Sequence, residues 1–223
     1  IALEKRNGKT VWKVARSSAA ARKFSFSTPL VIEVNGTKQL ISAGSGVVQA
    51  LNPKDGSEIW RCMYDQGYSV VPRPVFAHGM VYLSTGYDQP IALAIRADGK
   101  GDVTQSHIVW QANKRIPHNP SMVALGEDLY MIDDKGMISC RNAKTGAVYY
   151  EERLLGPTWS SLLHADGHLY VIDKLGVTAV VKPGRTLRVV AKNDLGEKAQ
   201  ASMAVVDSDL LIRTYKALYR ITR

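Results

Sequence analysis

The chain has 223 residues, 45% of them hydrophobic, with 29 basic and 20 acidic side chains and a formal charge of +9. That length can bury a substantial core, and that hydrophobic content excludes a disordered chain. The apolar runs are of strand length, well short of the roughly 20 residues of a membrane-spanning helix, so no transmembrane segment is expected.

Residues 1–15 read as two strands around a turn: Ile1-Ala2-Leu3, then Asn7-Gly8, then Val11-Trp12. A polar, small-residue connector follows at 16–23. The next unit, about 24–63, holds the clearest pattern of the chain. Asn35-Gly36 is a hairpin turn before the apolar Leu40-Ile41, and Val47–Leu51 is a short strand stopped by Asn52-Pro53. Asp55-Gly56 is a second turn, and Ile59-Trp60 closes the unit. Glycine supplies the positive φ of such turns, proline cannot donate to a ladder, and a strand-end tryptophan offers a large surface to bury.

The order turn, strand, turn, strand, aromatic recurs. Residues 72–113 carry it as His78-Gly79, Met80–Leu83, Asp98-Gly99 in a lengthened loop, and Ile108-Val109-Trp110. Residues 119–153 carry it as Glu127-Asp128, Leu129–Ile132, Thr145-Gly146 and Val148-Tyr149-Tyr150. Residues 158–192 repeat it with Asp166-Gly167 and Pro183-Gly184 but without the aromatic, and 199–223 hold three strands around Asp207-Ser208-Asp209. Trp12, Trp60, Trp110 and Tyr150 serve as blade anchors, with Gly8, Gly56 and Gly146 at their turns. A period of roughly 40–50 residues in an all-β pattern marks the four-stranded antiparallel blades of a β-propeller. About five blades are expected, four of them complete. Thr10–Val14 could supply the strand missing from the last blade; the preferred reading makes the chain part of a seven- or eight-bladed ring.

Cys62 and Cys140 fall in non-adjacent blades, too far apart to bridge, and read as two free buried thiols. The chain starts at Ile1 without a visible signal peptide, so its N-terminus reads as cut, leaving room for a lost targeting segment. Seven bases against Glu4 crowd the first 23 residues. No stacking motif accompanies them, and nucleic acid is not an expected partner.

Ala50-Leu-Asn-Pro-Lys-Asp-Gly-Ser-Glu-Ile-Trp60 resembles the blade signature of pyrroloquinoline-quinone-type propellers. Phe26–Ile32, Tyr68–Phe76 and Leu218–Ile221 are similar to the PQQ-binding-like β-propeller repeat proteins of bacteria. The resemblance covers essentially the whole chain. It implies a periplasmic or secreted protein and little about activity. The nearest functional analogy lies with the propeller lipoproteins of outer-membrane barrel assembly, which the chain resembles in blade type.

Three functions remain open. One is a non-catalytic binding or scaffolding module for a protein partner or a small polar ligand. A quinoprotein dehydrogenase would need PQQ, a calcium ion on oxygen ligands and an aspartate base, and its relatives often add neighbouring cysteines, which are absent here. A polysaccharide-binding module would need exposed rim aromatics. No catalytic residue, metal site or cofactor is assigned. His164 and His168 flank a hairpin turn. Aligning the units brings the loops ahead of each first strand, and those linking second to third strands, to one face. Arg73, His118, Asn119 and Trp159 are the uncommon members of the first set, with Tyr87, Asp88, Asp133 and Asp173 in the second. They offer an anion clamp, a titratable donor, an amide, stacking rings and carboxylates for a ligand or partner at the channel mouth.

Overall fold

The computed structural model describes residues 1–65 and 67–222; Arg223, at the end of the last expected blade, lies outside the described residues. The chain divides into two compact units, residues 1–111 and 112–223. Strand is the only regular structure among the described residues, and no helix is long and apolar enough to cross a membrane.

Unit 1 begins with an antiparallel pair, β1 (Ala2–Leu3) and β2 (Thr10–Trp12), closed by the Asn7-Gly8 turn. Thr10–Trp12 thus has its ladder partner in Ala2–Leu3. A meander follows: β3 (Leu30–Val34), β4 (Thr37–Gly44), β5 (Val47–Leu51) and β6 (Glu58–Met63). The next is β7 (Val75–Ala77), β8 (Met80–Ser84) and β9 (Ala92–Arg96). The lengthened loop then holds β10 (Gly101–Asp102), and β11 (Ile108–Ala112) completes that sheet.

The loop does more than lengthen the hairpin. β10 crosses to the preceding sheet and pairs parallel with β6, Gly101 opposite Trp60 and Asp102 opposite Arg61. Val103 N donates to Arg61 O at 2.8 Å and Met63 N to Thr104 Oγ1 at 2.9 Å. Four strands thus become five, and the outer edge of β6 gains the partners that an exposed edge lacks.

In unit 2 the sheets are β12 (Val123–Leu125), β13 (Asp128–Ile132), β14 (Met137–Asn142) and β15 (Val148–Arg153), then β16 (Leu163–Ala165), β17 (His168–Ile172), β18 (Val177–Lys182) and β19 (Arg188–Asp194). Both are four-stranded antiparallel meanders in sequence order. β20 (Ala204–Val206), β21 (Asp209–Arg213) and β22 (Leu218–Ile221) form a three-stranded sheet. The first turn of the 119–153 segment lies one residue earlier than the sequence pattern puts it. Asp128 is already paired with Leu125, so Gly126 and Glu127 make the turn, with glycine taking the left-handed position (φ 54°).

Second and third strands supply most of the cores. In unit 1, Ile41, Val48 and Trp60 of one sheet pack with Val81, Leu83 and Ile95 of the next. In unit 2, Tyr130, Ile138 and Cys140 pack with Leu169, Val171 and Val181. Trp60 is fully buried; enclosing such a side chain contributes about 1.5–3 kcal/mol. Tyr150 is buried at the equivalent place, while Trp12 and Trp110 are partly covered. Cys62 and Cys140 are both free and fully buried, and burial pushes each thiol up to about 11.

Candidate partner-binding rim

In unit 2 the turns joining second to third strands are built alike. Each is locked by its first residue, whose side-chain oxygen accepts two backbone amides further along. Asp133 Oδ1 takes Lys135 N (3.0 Å) and Met137 N (2.9 Å). Asp173 Oδ1 takes Leu175 N (2.9 Å) and Val177 N (3.0 Å). Thr214 Oγ1 takes Lys216 N (3.3 Å) and Ala217 N (2.9 Å). Short polar side chains favour such turns because they mimic a backbone acceptor. Gly136 (φ 86°) and Gly176 (φ 99°) end the first two, and a Cβ there would strike the backbone of the loop that follows.

Those turns are laced to the linkers between sheets. Asp134 O accepts Thr158 N (3.1 Å) and Pro157 O accepts Lys174 N (2.9 Å). One sheet further, Lys174 O accepts Ala199 N (3.3 Å) and Lys198 O accepts Tyr215 N (2.9 Å). The loops ahead of the first strands are joined too: Ser121 N donates to Ser161 Oγ and Ser161 N to Ser202 Oγ, each at 2.9 Å. Their spacing of about 40 residues is the blade repeat seen from its inner end.

Asp134 is the hub. Its carboxylate accepts His118 N at 2.6 Å, Asn119 N at 3.4 Å and the Asn119 side-chain amide, while its carbonyl holds Thr158. His118 Nδ1 lies 3.9 Å from the same carboxylate. One residue thus fixes both the His118–Asn119 loop and the loop carrying Trp159. Trp159 is 44% exposed, the only tryptophan so open among the described residues, and Lys174 Nζ sits 3.6 Å above its ring. Arg115 adopts φ 55°, a left-handed conformation costly for a side chain of its size, and its NH1 lies 4.0 Å from Asp133 Oδ2.

Five of the eight residues singled out by sequence therefore share this rim: His118, Asn119, Asp133, Trp159 and Asp173. Asp133 and Asp173 are buried and engaged by amides, and Asp173 Oδ2 also takes Gly156 N at 3.2 Å. The sequence pattern offers Asp133-Asp134 as a pair at the turn between second and third strands, of which only Asp133 is assigned to the rim, and it does not single out Lys174 or Tyr215; nothing in the spacing of the pair tells which carboxylate bridges loops.

In unit 1, Tyr87 and Asp88 lie beside Tyr68, whereas Arg73 lines a separate cavity with Leu30, Val31 and Phe76. Tyr68 and Tyr87 exchange backbone hydrogen bonds, and their rings meet edge-on at 5.5 Å. Phe24 packs on Tyr68 at 5.6 Å and Phe26 on Phe24 at 6.0 Å, giving a run of rings of which Phe24, Phe26 and Tyr87 are exposed. Arg22 stacks on Tyr68 and donates to its hydroxyl. Asp88 takes φ 99°. A shallow cavity of about 320 Å³ lies between Arg22, Asp65, Tyr68 and Asp88. Arg73 is exposed beside Pro74 and Phe76.

A quinone with calcium fits these residues poorly. The aspartates nearest to a rim ligand are spent on backbone amides, the two cysteines are buried in separate sheets, and no cluster of three or more metal-ligating side chains occurs among the described residues. His168 Nδ1 meets Asp166 O at 2.8 Å across its turn, a local contact.

Successive antiparallel meanders, most of them four-stranded and packed through their inner strands within each unit, define a β-propeller of PQQ-like repeats. The family model described as outer membrane protein assembly factor BamB matches residues 1–115 and 100–214. The chain belongs to that family. It is 26% identical over 190 residues to outer membrane protein assembly factor BamB of Alkalilimnicola ehrlichii, covering 83% of this chain and 47% of the relative. The crystal structure of BamB from Moraxella catarrhalis superposes with a TM-score of 0.72 at 13% identity, over 96% of this chain and 63% of that one. The chain spans about half the length of the curated relative it matches.

Proposed function

We propose that the chain is a non-catalytic module that holds a protein partner at its laced rim, in the periplasm, as part of outer-membrane protein assembly. The observation that carries this is the Asp134 bridge. It fixes His118, Asn119 and an exposed Trp159 in one place before any partner arrives. Prepaid ordering of loops lowers the entropic cost of association, and tryptophan is a favoured anchor of protein interfaces. The relatives named as assembly factors support a protein rather than a small metabolite as the bound species. Tyr87 and Asp88 supply the corresponding surface of unit 1, and Arg73 lies apart from them.

The test is site-directed photocrosslinking in the periplasm of the host. A benzoylphenylalanine at position 159 should yield a discrete cross-linked protein, whereas one at Val190 on β19 should not. Equal products from both positions would defeat the proposal.

A further inference from the structure

The rim of unit 2 is sorted by charge. Its aspartates face inward: Asp133 and Asp173 are 7% and 4% exposed and accept backbone amides, and Asp134 is bound by His118 and Asn119. Its bases reach solvent, Lys135, Lys216 and Arg115 exposed and Lys174 half-buried over Trp159. Lys135, Lys174 and Lys216 each stand in one of the three laced turns, and Arg115 stands beside the first. Among the described residues no ion pair joins a carboxylate to Lys135 or Lys174, and Lys216 has Glu197 in its field, a half-buried carboxylate that accepts the Thr214 hydroxyl at 2.7 Å. Aromatic rings alternate with them: Trp159, and Tyr215 at 62% exposure. Successive turns and linkers are hydrogen-bonded to each other from Asp134 to Tyr215, so the cations form one row at the blade repeat.

We infer that this row binds an extended acidic segment of a protein, its carboxylates meeting Arg115, Lys135, Lys174 and Lys216 and an apolar or aromatic side chain packing at Trp159. The inference rests on the protein-binding function proposed above and names the chemistry of the partner. Charge complementarity sets the sign, because the row presents four cations with its three aspartates engaged by amides, leaving Glu197 at the third turn as a partial counter-charge. The spacing sets the form. One ammonium per blade suits carboxylates spread along an extended chain. A phosphate polymer is met by dense, forked arginine contacts, whereas lysines carry this row from turn to turn and its arginines Arg115 and Arg153 are both engaged at the first turn, Arg115 beside Asp133 and Arg153 on Lys135 O.

The experiment uses the full chain and a fluorescein-labelled twelve-residue peptide alternating glutamate with phenylalanine. Fluorescence anisotropy is read at about 20 mM and about 200 mM salt, across which surface charges become screened. The expected result is saturable binding that weakens with salt. Lys135→Glu/Lys174→Glu/Lys216→Glu should weaken it by about tenfold or more, since each surface pair contributes modestly. Charge reversal of Lys182, Arg185 and Arg188, at and beside the β18–β19 hairpin, controls for net charge and should change it little. No binding at low salt, equal loss in both triple variants, or tighter binding of a charge-matched single-stranded oligonucleotide or of anionic phosphatidylglycerol vesicles would overturn the inference. A position-159 cross-link to a protein together with a failed peptide titration would sink only the acidic-segment inference. Absence of the cross-link would sink the binding function itself.

Discussion

Trp60 and Gln39 are bound to each other inside unit 1. The indole Nε1 donates to Gln39 Oε1 at 2.8 Å, and Gln39 Nε2 donates to Ala97 O at 3.1 Å, with both side chains essentially sealed from water. Ala97 follows the third strand of the next sheet, so one amide joins a strand-end tryptophan to its neighbouring sheet. Gln39→Leu leaves an indole N–H and a carbonyl unpaired in the core. It should cost about 2–4 kcal/mol, a melting temperature lower by about 5–10 °C, measured by calorimetry.

Trp12 reaches across in a similar way, but over a turn. Its Nε1 donates to Pro53 O at 3.0 Å, and a Cβ on Gly56 would lie 2.6 Å from its ring. Gly36 has nearly the same φ, 74° against 76°, with nothing within 4 Å of its Cβ. Gly36→Ala should therefore show the left-handed backbone cost alone, about 1–2 kcal/mol, and Gly56→Ala that cost plus about 1–3 kcal/mol of overpacking. Paired denaturant titrations measure the difference.

The strand that crosses between sheets carries an acid-sensitive lock. The Asp102 carboxylate takes the Thr104 hydroxyl at 2.6 Å and the Thr104 amide at 3.0 Å, and these bonds, with Arg61 nearby, hold it below the usual carboxylate range. A depressed folded value stabilises above the unfolded value and is lost as pH falls through the folded one. Asp102→Asn should melt lower than the parent at neutral pH. The gap should close in acid, below about pH 4. A gap constant from pH 7 to pH 2 would rule the lock out.

Both thiols should be silent in the native protein. Burial holds Cys62 and Cys140 near 11, and neither reaches water. A disulfide exchange reagent at about pH 8 should find no reactive thiol until denaturant is added, then two, because only the exposed thiolate reacts.

The architecture was legible because its signals are local. Asn-Gly and Asp-Gly pairs punctuate strands, and a large aromatic closes the units that end at Trp12, Trp60, Trp110 and Tyr150, so the repeat stands in the sequence itself. The five-stranded sheet was not. β10 is two residues long, carries no apolar pattern, and is held by the neighbouring sheet rather than by its own composition. The unit-2 rim was half legible. Uncommon residues at aligned positions pointed to His118, Asn119 and Trp159. Which aspartate locks a turn and which bridges loops depends on backbone groups up to some 25 residues away. Asp133 and Asp134 are identical in type and adjacent, yet one is spent within its turn and the other ties two loops.

The central claim is that the Asp134-laced rim is where a partner binds. Hydrogen–deuterium exchange of the chain, alone and with the partner recovered by cross-linking at position 159, tests it most directly. The account predicts slowed exchange at 115–121, 133–136, 157–161 and 173–176, with outer strands β15 and β19 unchanged. Protection confined to β15 and β19, with the rim amides unaltered, would contradict it.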